Sequence, residues 1–327
     1  MKFLFVGDLH LRGTNPRNRI DDYKEAVKAK LREVFALAVQ HQVKAILCPG
    51  DIWDRPEVSI GVLVEFMQVF RECPVDFYTC AGNHDIHGYN LDTYDRTSLR
   101  LLAELVPKFH VIHEDSVWFN DGIFANCNVA VSFSPYSGKM DREGYGYDYP
   151  HDVGESLLRI HIAHGMLLDH TPPFDRFTLI QDVQTTADLI LTGHDHHGFG
   201  IYRRADGKVF CNPGSLTRIS ASTGEMERPI QVALIDVHDK TDFTIDLLPL
   251  KSAKPGSEVL DRSKIEADQK RQYAMEEFAA LIQTGTGEKV LLNINDIVES
   301  IAATEKLAPE VVQKTLAKIH EQQANLV

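Results

Sequence analysis

Lys2-Phe3-Leu4-Phe5-Val6-Gly7-Asp8-Leu9-His10 decides the reading of this chain, because its pattern returns twice. A short apolar run closes on glycine and a polar cluster again at Ala45-Ile46-Leu47-Cys48-Pro49-Gly50-Asp51 and at Asp76-Phe77-Tyr78-Thr79-Cys80-Ala81-Gly82-Asn83-His84-Asp85. The runs at Phe3 to Val6, Ala45 to Leu47 and Asp76 to Cys80 are short, apolar and flanked by turn residues, as buried strands are. Between them, Tyr23 to Gln40 carries Ala26, Leu31, Val34, Phe35 and Ala38 at helical spacing, and Val58 to Phe70 forms a second helix-period segment. Strand, helix, strand, helix, strand is the pattern of an α/β fold. In such sheets ligands bind beyond the carboxyl ends of strands, so polar clusters distant in sequence converge in one crevice.

Working outward, strands crowd together from about residue 111 to 250, at Asn128 to Val131, Arg159 to Ala163, Leu189 to Leu191, Val209 to Phe210, Gln231 to Asp236 and Asp242 to Leu247. A second sheet packed on the first is the simplest account, giving an α/β architecture of two packed β-sheets flanked by helices. Ser134 to Pro150, rich in Gly, Tyr, Asp and Pro, reads as a surface loop near the cleft. The linker Lys251 to Ser257 divides a domain of residues 1–250 from a small, mainly helical region at 251–327. That region holds a polar helix (Ser263 to Gln283) and a helical pair (Asn295 to Thr304 and Pro309 to Gln322), with Val311, Val312, Leu316 and Ile319 as an apolar stripe.

Composition excludes several classes. With 327 residues, 43% hydrophobic and 25% charged, the chain can bury a core and is not a disordered tail. The apolar start is too short for a signal peptide or a membrane span, which points to a cytoplasmic protein. Five scattered cysteines, Cys48, Cys73, Cys80, Cys127 and Cys211, suit buried reduced thiols better than a disulfide framework. A net charge of −13 opposes nucleic-acid binding, which draws most of its affinity from Lys and Arg. Arg12, Arg17 and Arg19 after the first polar cluster, and Arg203, Arg204 and Lys208 after the last, are local basic exceptions.

The polar clusters form a set suited to metal. Asp8-x-His10, Asp51, Asn83-His84, His164 and Gly193-His194-x-His196 all fall at the ends of expected strands. Carboxylate, amide oxygen and imidazole suit intermediate divalent cations, and a two-metal centre needs a bridging carboxylate, for which Asp51 is the choice. Each cluster alone has an ordinary explanation as a turn or a polar loop; five in one order do not. His41, His110, His113, His238 and His320 read as ordinary histidines, whereas His87, His161, His170 and His197 lie close enough to the clusters to support the ligands.

These motifs, with Gly50-Asp51-x-x-Asp54 and Gly82-Asn83-His84-Asp85, resemble the signature motifs of the calcineurin-like metallophosphoesterases. Gly50-Asp51-Ile52-Trp53-Asp54-Arg55-Pro56 and Asn212-Pro213-Gly214-Ser215-Leu216-Thr217-Arg218 further resemble the SbcD branch, nuclease subunits of a double-strand-break repair complex. The resemblance covers residues 1–250 and implies a four-layer metallophosphoesterase sandwich. It implies Asp8, His10, Asp51 and His196 on one metal and Asp51, Asn83, His164 and His194 on the other. His84 is then the catalytic histidine, with Asp85 or Asp54 orienting it. Two divalent ions, manganese in most relatives with iron or zinc compatible, would serve a DNA exonuclease and endonuclease. Such an enzyme works with an SbcC-type coiled-coil ATPase, which the C-terminal helices dock if their apolar stripe is free and only cap their own domain if it is packed there; a homodimer is compatible with this, and no membrane is involved. Arg12, Arg17, Arg19, Arg55 and Arg218 are candidates for holding DNA.

Two other functions fit the sequence. A phosphatase or phosphodiesterase acting on nucleotides or other small phosphoesters agrees better with the acidic charge. A scaffold that binds DNA ends through a vestigial site is opposed by the complete ligand set. Glu299, Glu305, Glu310 and Glu321 argue against a DNA-binding helix-turn-helix at the C-terminal end.

Overall fold

A computed structural model describes residues 1–113, 115–120, 128–150, 158–263, 265–267, 269–273, 275, 298–299, 302 and 307–324. The chain divides into two compact units, Met1–Leu260 and Asp261–Val327.

The first unit begins with β1 (Lys2–Phe5), α1 (Tyr23–His41), β2 (Ala45–Cys48), α2 (Ile60–Arg71) and β3 (Asp76–Thr79). Asp22 caps α1 by accepting from the Glu25 backbone N–H, and Gln42 ends it in the left-handed region. Helix α2 starts two residues later than its apolar pattern suggests. Ser59 is its N-cap, accepting from Val62 N, and Val58 N is bonded instead to Ser98 Oγ. Next come α3 (Ser98–Leu105), β4 (Phe109–Val111), β5 (Ser116–Asn120), β6 (Asn128–Ser134) and β7 (Leu158–Ala163). A two-stranded ribbon of β8 (Leu167–Leu168) and β9 (Thr178–Leu179) leads to β10 (Leu189–Thr192), β11 (Gly200–Arg203) and β12 (Val209–Asn212). The unit closes with α4 (Thr223–Glu227), β13 (Gln231–Val237), β14 (Phe243–Pro249) and α5 (Gly256–Val259).

Two mixed six-stranded sheets result, ordered β14-β13-β1-β2-β3-β4 and β11-β12-β10-β7-β6-β5. The core explains why their strands are apolar throughout. Phe3, Phe5, Ala45 and Leu47 share a buried cluster with Val131, Ile160, Ile162, Leu189 and Leu191 of the second sheet. The alternate residues Leu4, Ile46 and Cys48 pack with Val27, Leu31, Val34, Phe66 and Phe70 of α1 and α2. A strand buried on both faces has no polar side to alternate with.

Three expectations need correction. The strands from Gln231 onward do not join the second sheet: β13 pairs antiparallel with β1, in register from Lys2↔Asp236 to Phe5↔Ala233, and β14 extends that edge. Ser134 to Pro150 is more than a surface loop, because Tyr136, Met140, Tyr147 and Tyr149 are buried against Ala130, Ile190 and Phe210 on the outer face of the second sheet. The first unit runs to Leu260 rather than 250, since Val259 and Leu260 are buried and Leu260 bridges Arg19.

In the second unit, α6 (Pro309–Ala324) carries the expected apolar stripe. Val312 and Ile319 line an apolar pocket with Met275, Val298, Ala302 and Leu307, while Val311 is 49% exposed. Most of the stretch expected as helix at Asn295 to Thr304, and the end of the one expected at Ser263 to Gln283, lie outside the described residues. Among the described residues no helix is long and apolar enough to cross a membrane. Cys48, Cys73, Cys80 and Cys211 are buried free thiols; Cys127 lies outside the described residues.

Candidate metal centre

Register brings the polar clusters together. Phe5 pairs with Leu47 and Leu47 with Tyr78, so β1, β2 and β3 end level and release Asp8, Asp51 and Asn83 at one edge. In the second sheet Ala163 pairs with Thr192, which places His164 and His194 side by side. One group of chelating atoms comprises Asp8, His10, Asp51 and His196, a second comprises Asp51, His164 and His194, and within each the atoms lie within 4.8 Å of one another. Asn83 Oδ1 adjoins the second group, 2.9 Å from His164 Nε2. All seven expected ligands therefore meet, with Asp51 common to both groups.

The backbone aims them. Leu9 N and His10 N donate to Asp51 O, and His84 N donates to Asp51 Oδ1 at 2.8 Å, which leaves Oδ2 directed at the site. His194 N likewise donates to Asp8 Oδ2. His10, Asp51 and His194 have φ of 45°, 48° and 73°. Left-handed backbone costs roughly 1–2 kcal/mol at a non-glycine residue, and such strain concentrates at functional sites. Gly82 allows the closest approach, since a Cβ there would overlap the Asp51 carboxylate. Gly82→Ala is therefore expected to displace Asp51 and to weaken divalent-cation binding by about tenfold or more, the usual cost of disturbing a ligand's support, measured by calorimetric titration. Unchanged affinity would show that the loop moves freely.

The arrangement fits cations better than it fits itself. Asp8 Oδ1, His10 Nδ1 and Asp51 Oδ2 are buried without a hydrogen-bond partner among the described residues. His10 Nε2 and His196 Nε2 face each other at 2.9 Å, and His164 Nδ1 is spent on Pro49 O, which turns its Nε2 toward Asn83 and Asp51. Buried unpaired acceptors are costly unless something electropositive sits among them. Burial pushes Asp8 up to about 7, with the Asp51 charge adding to the effect. Burial also opposes the charge on Asp51, but His164, His10 and His84 outweigh it and hold that carboxyl below the usual carboxylate range. Burial lowers His194 and His196 to about 3, leaving neutral imidazoles with a free lone pair. On His164 burial is overcome by Asp51, which raises it to about 9. Metal ligation requires the deprotonated imidazole.

His84 stands at the rim, its ring 4.8 Å from that of His10. Its Nδ1–H donates to the Asp54 backbone carbonyl at 2.9 Å, which assigns the tautomer and leaves Nε2 unspent. Burial disfavours the imidazolium, yet Asp51 and Asp54 together raise its pKa. Orientation of His84 thus comes from the main chain of Asp54, not from Asp85. Asp85 is buried and accepts from Ile52 N, Trp53 N and Gly82 N, tying the Asp51 loop to the Gly82 loop. The Asp54 carboxylate is itself held by Arg12 Nη1 at 2.9 Å.

The remaining candidates separate by burial. Arg12 reaches the rim through Asp54, and Arg17 and Arg55 are exposed. Arg19 and Arg218 are not available to a substrate at this site: Arg19 forks onto Asp21, and Arg218 donates to the backbone oxygens of Glu225, Lys254 and Arg228. Among the described residues, none of the four histidines expected to support the ligands pairs its ring with one. His161 is a core residue between Ser132 Oγ and Gly146 O, and His87, His170 and His197 face Glu57, Asp169 and Asp195. The sequence missed Tyr136, whose ring lies 5.6 Å from His194 and 6.1 Å from His164, beneath the Arg176 guanidinium. Its place in a Gly/Tyr-rich loop gave no periodic signal.

The stretch Asn212 to Arg218 is scaffolding for the centre. Ser215 Oγ and Leu216 N donate to Asp8 O, Ser215 N donates to His196 O, and Asn212 Nδ2 donates to Asp195 O. Trp53 is fully buried against Phe66.

Residues 1–198 match the family model "Calcineurin-like phosphoesterase". The chain is 24% identical over 233 residues to the DNA double-strand break repair protein Mre11 of Methanosarcina mazei, covering 69% of this chain and 35% of that protein. It is also 24% identical over 210 residues to the uncharacterized metallophosphoesterase YhaO of Bacillus subtilis, covering 60% and 48%. The chain thus spans less than half the length of these curated relatives. A dimetal phosphatase from Danio rerio superposes with a TM-score of 0.45 at 12% identity, over 76% of this chain and 96% of that one. Two sheets with their strand ends level, a dimetal-type cluster shared through one aspartate and a family match over more than half the sequence place this chain in the calcineurin-like phosphoesterase family.

Proposed function

We propose that the chain is a two-metal phosphodiesterase that cuts DNA, with Asp8, His10, Asp51 and His196 holding one cation and Asp51, Asn83, His164 and His194 the other. The observation that carries this reading is the pair of ligand groups joined through Asp51, whose buried Oδ2 takes no hydrogen bond among the described residues and faces His164 Nε2 at 3.4 Å and His10 Nε2 at 3.7 Å. Two divalent ions held there would supply Lewis-acid chemistry, lowering the pKa of a water and neutralising phosphoryl oxygens. Manganese is the expected ion, and oxygen and imidazole donors also suit iron or zinc. His84, raised in pKa and fixed by Asp54 O, delivers a proton to the leaving oxygen from its free Nε2. Asp85 keeps the two loops in register by three backbone hydrogen bonds and takes no proton from substrate.

DNA as substrate is supported by the likeness to the Methanosarcina repair protein and by the two SbcD-like stretches, both of which lie at the centre. Arg12, Arg17 and Arg55 are the basic side chains left to meet a phosphodiester backbone after Arg19 and Arg218 are assigned elsewhere. An SbcC-type coiled-coil ATPase is the proposed partner, taken up by the C-terminal unit.

The test is digestion of end-labelled linear DNA with manganese, with and without such an ATPase, beside bis-nitrophenyl phosphate and nucleotides. Manganese-dependent shortening of DNA that the ATPase accelerates is expected. Turnover of nucleotides with intact DNA would replace the nuclease reading by a small-phosphoester one, which the charge of −13 favours.

A further inference from the structure

Beside α1 lies a cavity of about 290 Å³ lined by Arg19, Asp21, Glu25, Lys30, Arg218 and Lys254 and by none of the metal-centre residues. Its acidic groups are already committed. Asp21 takes the Arg19 fork at 2.7 Å, Glu25 pairs with Lys28 at 2.8 Å, and Asp22, which also lines the cavity, caps the helix by accepting from Glu25 N. Two of its cations are held by backbone carbonyls alone. Lys30 and Arg218 are 3% and 4% exposed, and both donate only to backbone carbonyls, Lys30 Nζ to Leu216 O at 2.8 Å and Arg218 to those of Glu225, Lys254 and Arg228. Among the described residues neither forms an ion pair with a carboxylate; the closest candidates, Asp21 and Glu225, are held by Arg19 and Arg228.

Buried cations are normally matched by an anion, because a carbonyl offers only a partial charge against the cost of desolvation. Burial, with Arg19, Arg218 and Arg228 nearby, lowers Lys30 to about 7, and burial beside Arg228 lowers Arg218 to about 10. We propose that this cavity binds a small phosphate-bearing anion, through Lys30 and Arg218 at its base and the exposed Lys254 at its mouth. The guanidinium fork and the ammonium are the groups that recognise phosphate oxygens. The volume lies at the lower edge of small-molecule sites, which suits one or two phosphate groups and excludes a duplex. Inorganic phosphates and the phosphates of a nucleotide share this chemistry.

The experiment is calorimetric titration of pyrophosphate, and separately of ADP, into the full-length chain in EDTA, so that no metal ion recruits the ligand. One site per chain is expected, at least tenfold weaker in Lys254→Glu and in Lys30→Met and unchanged in Asp51→Asn. Lys254 is exposed, so its substitution keeps the test valid if Lys30→Met fails to fold. Equal affinity for the two ligands assigns recognition to the phosphates alone, and tighter ADP binding adds a nucleoside contact; both support the site. Absence of binding at millimolar ligand, or affinity that ignores Lys254→Glu or falls in Asp51→Asn, overturns it.

Discussion

Asp51→Asn is expected to abolish phosphoester hydrolysis and to lower divalent-cation affinity more than about a hundredfold, with the fold intact. Losing an outer partner of a metal ligand costs roughly 10–100-fold in affinity, and Asp51 is itself the residue common to both ligand groups. Asparagine is the informative replacement. Asp51 sits at φ 48°, a backbone conformation that Asn adopts more readily than Ala, and the amide oxygen can still accept from His84 N at the Oδ1 position. What the substitution removes is the charge, in a place where His164, His10 and His84 already favour an anion. Metal stoichiometry by mass spectrometry under native conditions, beside a circular-dichroism spectrum, reads both outcomes. Two ions retained at wild-type affinity would show that Asp51 does not join the two groups.

His84→Ala is expected to do the opposite with metal: both ions remain, while turnover falls by about 10²–10⁴-fold, the usual contribution of a positioned acid or base. The reason is geometric. Nδ1 is spent on Asp54 O, and the side chain approaches the centre only edge-on to His10, so it completes no ligand group that its removal would break. His84 does fall in a third chelating cluster with His10 and Asp54, but the Asp54 carboxylate is already neutralised by Arg12. If His84 protonates the leaving oxygen, an ester with a nitrophenolate leaving group, which needs little protonation, loses less rate than DNA does. Parallel rates on the two substrates separate proton donation from a structural defect, which would depress both alike.

Much of this site was legible in the sequence because its ligands follow strands. A run buried on both faces is uniformly apolar, and its end is marked by the first polar residue, so Asp8, Asp51, Asn83, His164 and His194 stood out. Level ends follow from parallel pairing, which the alternation of strand and helix already implied. Pairing of β13 with β1 was not legible, because a strand of seven residues such as Gln231–Val237 carries no mark of which sheet edge it closes. Arg19 and Arg218 were misplaced for a related reason. Guanidinium groups are written as surface residues, and only tertiary structure shows backbone carbonyls surrounding them. The role of Asp85 was hidden because its partners are main-chain N–H groups, which every sequence has everywhere. The left-handed backbone at His10, Asp51 and His194 had no residue signal either, since none of the three is glycine.

Anomalous scattering from crystals grown with manganese measures directly whether one aspartate joins two cation sites. Two peaks are expected, one among Asp8, His10 and His196 and one among Asn83, His164 and His194, with Asp51 in contact with both. A single peak, or two that leave Asp51 out, would mean that no aspartate bridges two cations here.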